Sequence, residues 1–292
     1  MAKLRRPHVV PAGYQRNFAA GQHILVITKA SMSAHPIGVR DNFVASHFLR
    51  VIIAGVSSDD AEDQFARIEN AALPLIKQLA AFGARTEEQL YALKATMAML
   101  WSRSFAREVV AQRIFKEVVA TFRDDPSEAE RVRVVFRHHH GREPLPGEFE
   151  GSLEEASVEF TRQRLHDVNS TLEYHNKALA KFDPLHVSLY RPIRGCEFVT
   201  SDNPVLLART PELIHVGMHN GLALGDASFI FLPITRFVGA CLTKEPEGDF
   251  ELDRLMVLRL NQAMWRNAVQ RVACHPALVD DWPKVCNVSI RP

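Results

Sequence analysis

Two short clusters of polar side chains, far apart in the chain, could carry chemistry. The first places His8, Tyr14, Arg16 and Asn17 within eleven residues, beside Pro11 and Phe18. A histidine moves protons near neutral pH, and an arginine holds a phosphate or carboxylate through two parallel N–H bonds. The second cluster, Ser201, Asp202, Asn203 and Pro204, follows the apolar pair Phe198 and Val199. Asp202 has the chemistry of a base, a metal ligand or a group that orients a histidine. A plainer reading stands beside each. His8 and Arg16 would tether an N-terminal segment, and Asp202 and Asn203 before Pro204 would form an ordinary turn. Composition alone favours the plainer reading of both.

Other histidines offer less. The stretch from His138 to Gly147, which opens with His138, His139 and His140, is rich in Gly and Pro and predicts a loop. Adjacent histidines in a loop present no defined metal geometry, so chance or weak surface binding is the stronger account. The neighbours His166 and Asp167, and His175 and Asn176, fall on a predicted helix. Adjacent residues there point in different directions, so neither pair is a dyad. The chain lacks a Gly-x-Gly-x-x-Gly element after a strand, a Walker loop, a His-Glu-x-x-His helix and a Gly-x-Ser-x-Gly elbow.

The elements that would position these residues follow from periodicity. A β-branched run at residues 23–28 predicts a strand. Asp59 and Glu62 form a capping signal, and Phe65, Ile68, Ala72, Leu75, Ile76 and Leu79 mark one buried helix face. Pro74 should kink that helix or end its first half. Thr86 and Gln89 open a long helical pattern that breaks near Asp124, Asp125 and Pro126. Ser152 and Glu155 cap another, with Val158, Leu165, Val168 and Leu172 inward. After residue 184 the period changes, predicting strands at 186–190, 196–200, 228–232 and 237–242, then a helix from Leu252 to Val269 and a closing strand at 271–274.

Helices in the middle with strands at both ends predict an α+β fold: a central helical segment packed on a mostly antiparallel sheet built from N- and C-terminal strands. No boundary is visible, so residues 1–292 read as one domain, helix-rich over 59–181, strand-rich over 184–245, with a C-terminal helix and strand over 251–275. With 292 residues, 47% of them hydrophobic, the chain can bury a proper core. A net charge of +1 gives no general attraction to nucleic acid; only Lys3, Arg5 and Arg6 crowd together, most simply as a solvated tail. No apolar run is long enough to span a bilayer, and no apolar stretch follows the basic start, so neither a membrane nor export is expected. Cys196, Cys241, Cys274 and Cys286 form no Cys-x-x-Cys pair and read as buried reduced thiols, which predicts a cytoplasmic protein.

The spacing of His8, Pro11, Tyr14, Arg16 and Phe18, with Phe198, Val199, Thr200, Ser201, Asp202, Asn203, Pro204 and Val205 far downstream, resembles the domain-of-unknown-function 4238 family. Glu69, in a helix of small apolar residues, the run Phe231, Leu232, Pro233, Ile234, Thr235, and Asn261 fit the same pattern. Arg103 matches a family Arg-Thr-Pro element whose next two positions are Ser104 and Phe105 here, and Thr235 stands where Ser is common. The resemblance brings no reaction with it. It implies that His8, Arg16 and Asp202 belong to one site.

Three functions remain open. In a metal-dependent hydrolase, a nuclease or phosphoesterase, His8 would be acid or base, Arg16 would bind phosphate, and Asp202 with Glu69 would hold Mg²⁺ or Mn²⁺. Tyr14, Arg103, Ser201 and Asn203 would touch substrate. In a binding module, Arg16, Tyr14 and Asn203 would grip a small anion or peptide. In a structural tether, Asp202 would pair with His8 or Arg16 and there would be no active site.

Overall fold

The computed structural model describes residues 8–44, 51–53, 56–58, 60–83, 85–148, 151, 168–209, 216–245 and 248–278. The chain opens with a short helix α1 (Ala12–Gln15) running into a 3-10 turn (Arg16–Phe18). Strands β1 (His23–Thr28) and β2 (Ser33–Gly38) form a hairpin. Strands β3 (Val51–Ile53) and β4 (Val56–Ser58) form a separate antiparallel pair among the described residues. Five helices follow: α2 (Asp60–Phe82), α3 (Glu87–Ser102), α4 (Phe105–Asp124), α5 (Pro126–His140) and α6 (Val168–Phe182). The rest is mainly strand, β5 (His186–Pro192), β6 (Thr200–Ser201), β7 (Leu206–Ala208), β8 (Phe229–Thr235), β9 (Val238–Thr243) and β10 (Asp249–Leu252), then helix α7 (Arg254–Asn267) and strand β11 (Arg271–Cys274).

The fold is α+β, with two mostly antiparallel sheets. One, ordered β2-β1-β11-β6, joins the two ends of the chain: Leu25 pairs with Cys274 and Val26 with Ala273. The other, ordered β10-β5-β9-β8-β7, is antiparallel except where β10 runs parallel to β5. Ile24, Val26, Leu93, Leu189, Ile230 and Leu242 share one core with α2, α3 and α6. Ile27, Phe198, Phe231, Val257, Leu260 and Met264 build a second around α7. Gly239 has no alternative there, because a Cβ would collide with the Phe231 ring.

Local signals explain most boundaries. At α3 the Thr86 hydroxyl accepts from the Gln89 N–H while the Gln89 side chain accepts from the Thr86 N–H, both at 3.2 Å. The break before α5 is made by Asp125, whose carboxylate accepts from the Ser127 N–H at 2.8 Å with Pro126 in the first turn. α2 does not end at Pro74 but continues through it as one helix, although the missing N–H removes a bond to Asn70. Asp59 and residues 152–167, with Ser152, Glu155, Val158, Leu165, His166 and Asp167, lie outside the described residues.

Three elements differ from expectation. The long helix expected from Thr86 to about Asp124 is broken where Arg103 ends α3 and Ser104, in extended conformation, starts α4. His138, His139 and His140 are the last turn of α5 rather than a loop; Gly141, at φ +68°, ends the helix. The strand predicted over 196–200 is paired only at Thr200 and Ser201. Upstream, a side chain takes the place of a neighbouring strand. Asn261 on α7 accepts from the Val199 N–H at 3.1 Å and donates to the Glu197 carbonyl at 2.9 Å. Cys196, Cys241 and Cys274 are buried free thiols, and burial pushes Cys241 and Cys274 up to about 12; Cys286 lies outside the described residues. Among the described residues no helix is long and apolar enough to cross a membrane.

Candidate functional site

Asp202 follows β6 and is 1% exposed. Its Oδ1 accepts from the Val269 N–H at 2.9 Å, and its Oδ2 accepts from the Gln270 and Arg271 N–H groups at 2.7 and 3.0 Å. Its own N–H donates to the Arg271 carbonyl. The carboxylate therefore binds the turn that links α7 to β11. Burial pushes it up to about 6, against the pull of those three donors and of the Lys29 charge.

The neighbouring residues close the same seam. Ser201 accepts from the Asn203 N–H at 3.1 Å and donates to the Met264 sulfur at 3.3 Å. Asn203 donates to both oxygens of Asn267, while Asn267 donates back to the Asn203 carbonyl at 2.6 Å and the Val205 carbonyl at 3.0 Å. All four side chains are buried. The bonds of Ser201, Asp202 and Asn203 thus lock residues 201–205 against α7 and the turn after it.

The first cluster reaches this seam through Tyr14. Its hydroxyl donates to the Pro233 carbonyl at 2.5 Å and so accepts from the Thr200 hydroxyl at 3.1 Å. Asn17 donates to the Ile234 carbonyl at 3.0 Å. Gln15 and Asn42 bond one another at 3.0 Å, and Gln15 also caps the Val10 carbonyl. Arg16 faces solvent.

His8 joins a different group. Its Nε2 lies 3.1 Å from the Arg40 carbonyl, and since a carbonyl only accepts, that nitrogen carries the hydrogen. Burial first, then the Arg103 charge, holds the imidazole below its ordinary value. The His8 carbonyl accepts from Arg103 Nη2 at 2.5 Å, and Arg103 Nη1 pairs with Glu69 at 2.8 Å. Burial raises the Glu69 carboxyl, against the pull of Arg103. Near this junction Phe43, Val44, Phe105, Asp202, Gln270 and Arg271 line a cavity of about 50 Å³. His8, Glu69 and Arg103 therefore meet at the turn between α3 and α4, Asp202 shares a small cavity with Phe105 just after that turn, and the exposed Arg16 takes no part in these bonds.

That turn also anchors a polar cluster among four helices. Arg103 lies over Phe65 of α2, 5.1 Å from the ring centroid, and Phe65 stands edge-on to His175 of α6. Thr171, one turn before His175, is 3.5 Å from Arg107 Nη1. Arg107 stacks on Tyr174 at 4.1 Å and donates to the Ser102 carbonyl at 2.6 Å, which closes the ring beside Arg103. Among the described residues no carboxylate pairs with Arg107, and burial holds its guanidinium down to about 10. The Ser104 hydroxyl, at the N-terminus of α4, and the His175 Nδ1 are buried without a hydrogen-bond partner among the described residues. Burial keeps His175 below the ordinary histidine range.

Arg107 and Thr171 escaped the sequence reading, and His175 entered it only as a neighbour of Asn176 that forms no dyad. The available signal was the stripe Thr171, His175, Ala178, Phe182, whose steps of three and four mark the buried face of α6. The two polar members of that stripe face the core. Among the described residues no group of three or more His, Cys, Asp or Glu side chains is arranged to hold a metal ion, and Asp202 and Glu69 are engaged with N–H donors and Arg103 respectively. These residues do not fit a divalent centre.

No curated protein and no solved structure matches the chain. A family model matches residues 6–277, nearly the whole of it. The chain belongs to the family described as protein of unknown function DUF4238.

Proposed function

We propose that the protein binds a small anion, phosphate or carboxylate, at the polar cluster where α2, α3, α4 and α6 meet. The observation that carries this reading is Arg107, a guanidinium 8% exposed whose recorded partners are a carbonyl, a hydroxyl and an aromatic ring. An unpaired buried charge costs several kcal/mol, on the order of 3–5 when a partner is removed. At about 10 the group still carries its proton at neutral pH, so an arriving anion relieves a cost the fold already bears.

Two further features support it. The N-terminus of α4, the positive end of its dipole, lies at Ser104, and Ser104 and Arg107 both belong to the cluster. The Ser104 hydroxyl and the His175 Nδ1 are donors or acceptors with nothing to bond among the described residues. The reading as a metal-dependent nuclease or phosphoesterase draws less support, since Asp202 and Glu69 are already satisfied and the net charge of +1 offers no footprint for a polyanion.

The test is thermal unfolding with inorganic phosphate against chloride at fixed ionic strength. Wild type should gain stability as RT ln(1 + [L]/Kd) with phosphate and not with chloride, and Arg107→Met should lose that gain. A wild-type midpoint indifferent to phosphate, or an equal gain in Arg107→Met, overturns the proposal.

A further inference from the structure

A second concavity lies far from this cluster in kind. It is a cavity of about 720 Å³ at the end of the five-stranded sheet where β8 begins and β9 ends, within the size range that encloses a small organic molecule. Its floor is apolar: Phe229 and Leu260 line it and are 7% and 1% exposed. Its walls are aromatic. Tyr190 stacks on Phe229 at 6.2 Å and 27°, while the Phe250 ring stands at 80° to Tyr190 with centroids 5.6 Å apart. Two ring faces set at right angles form a corner. Phe250 and Met256 leave 48% and 37% of their surface exposed at its mouth, apolar area that an occupant would remove from water.

The charges around the mouth choose the occupant. Asp226, Glu245 and Glu251 line the cavity against the single base Lys244. Among the described residues none of these three carboxylates is held in an ion pair. Carboxylates over a low-dielectric floor concentrate negative potential at the opening, and aromatic faces add their own negative quadrupole. Both attract a cation and repel an anion.

We propose that this cavity binds a small aromatic cation, its apolar body against Tyr190 and Phe229 and its ammonium group at the mouth, beside the Phe250 ring and in the field of the Asp226 and Glu245 carboxylates. The site is independent of the anion cluster, since it shares no residue with it.

Phenyltrimethylammonium, its uncharged isostere tert-butylbenzene and benzenesulfonate separate the contributions by ligand-observed NMR titration. The cation should bind saturably, at least about 5-fold tighter than either of the others, the factor that a modest cation–π and ionic gain supplies. Asp226→Asn and Phe250→Ala change exposed side chains, so their circular dichroism should match wild type while affinity for the cation falls several-fold. Raising the salt concentration should weaken the cation and leave tert-butylbenzene unaffected. Equal binding of cation and isostere, no saturable binding of the cation, or unchanged affinity in both variants overturns the proposal.

Discussion

The Tyr14 hydroxyl and the Thr200 Oγ1 lie 3.1 Å apart, 186 positions distant in the chain. This is a point where the two sequence motifs touch, and it is buried on both sides. Because Tyr14 gives its hydrogen to the Pro233 carbonyl, it must receive one from Thr200. One phenol thus ties the N-terminal helix to β6 and β8 together.

Tyr14→Phe keeps the ring that packs 5.4 Å from Phe18 and removes both bonds. It leaves a buried carbonyl and a buried hydroxyl short of a partner, so the variant should fold and lose about 2 kcal/mol. Urea unfolding should show a lower midpoint at an unchanged slope. A loss below a few tenths of a kcal/mol would mean that the bonds do not hold the segment.

The fold was legible in sequence wherever a local signal decides it. Thr86 with Gln89, Asp125 before Pro126, and the β-branched run of β1 each act within a few residues, and each element appears where its signal lies. The site was legible only as a neighbourhood. Residue types in the two motifs indicated polarity, but whether Asp202 does chemistry depends on the N–H groups of Val269, Gln270 and Arg271, which no local pattern connects to it. Asn261 shows the same limit. It stands in for a strand neighbour of Glu197 and Val199 from 62 to 64 residues away, so periodicity over-reads the strand. The stripe of α6 failed for another reason: Thr171 and His175 occupy positions that a hydrophobic count passes over, although helical geometry buries them with Ala178 and Phe182.

Asp202 should leave a signature in the dependence of stability on pH. Its folded-state value, raised to about 6, lies above that of an unfolded aspartate, so between about 4 and 6 the folded protein binds a proton that the unfolded chain has released. Stability must therefore fall as pH rises through that window, by about 3 kcal/mol if the whole shift is expressed. Asp202→Asn should flatten this part of the profile. Denaturant unfolding at a series of pH values measures it; a wild-type contribution that instead grows from pH 4 to 6 would mean that the three N–H donors outweigh burial.

Glu69 and Arg107 make the anion reading testable by opposite signs. Glu69→Gln removes the carboxylate that pairs with Arg103 at 2.8 Å, and Arg103 is 2% exposed, so the ligand-free protein should lose about 1–3 kcal/mol. The same change removes a negative group competing for the cluster, and phosphate should then bind several-fold tighter than in wild type. Arg107→Met takes out a buried cation and fills its space with apolar atoms. The ligand-free protein should gain about 1 kcal/mol, as replaced buried charges often do. Its response to about 10 mM phosphate should vanish. Unfolding curves of the three proteins with and without phosphate supply every quantity. If both variants lose stability and keep the wild-type response to phosphate, Arg107 serves packing alone and the anion must be sought elsewhere.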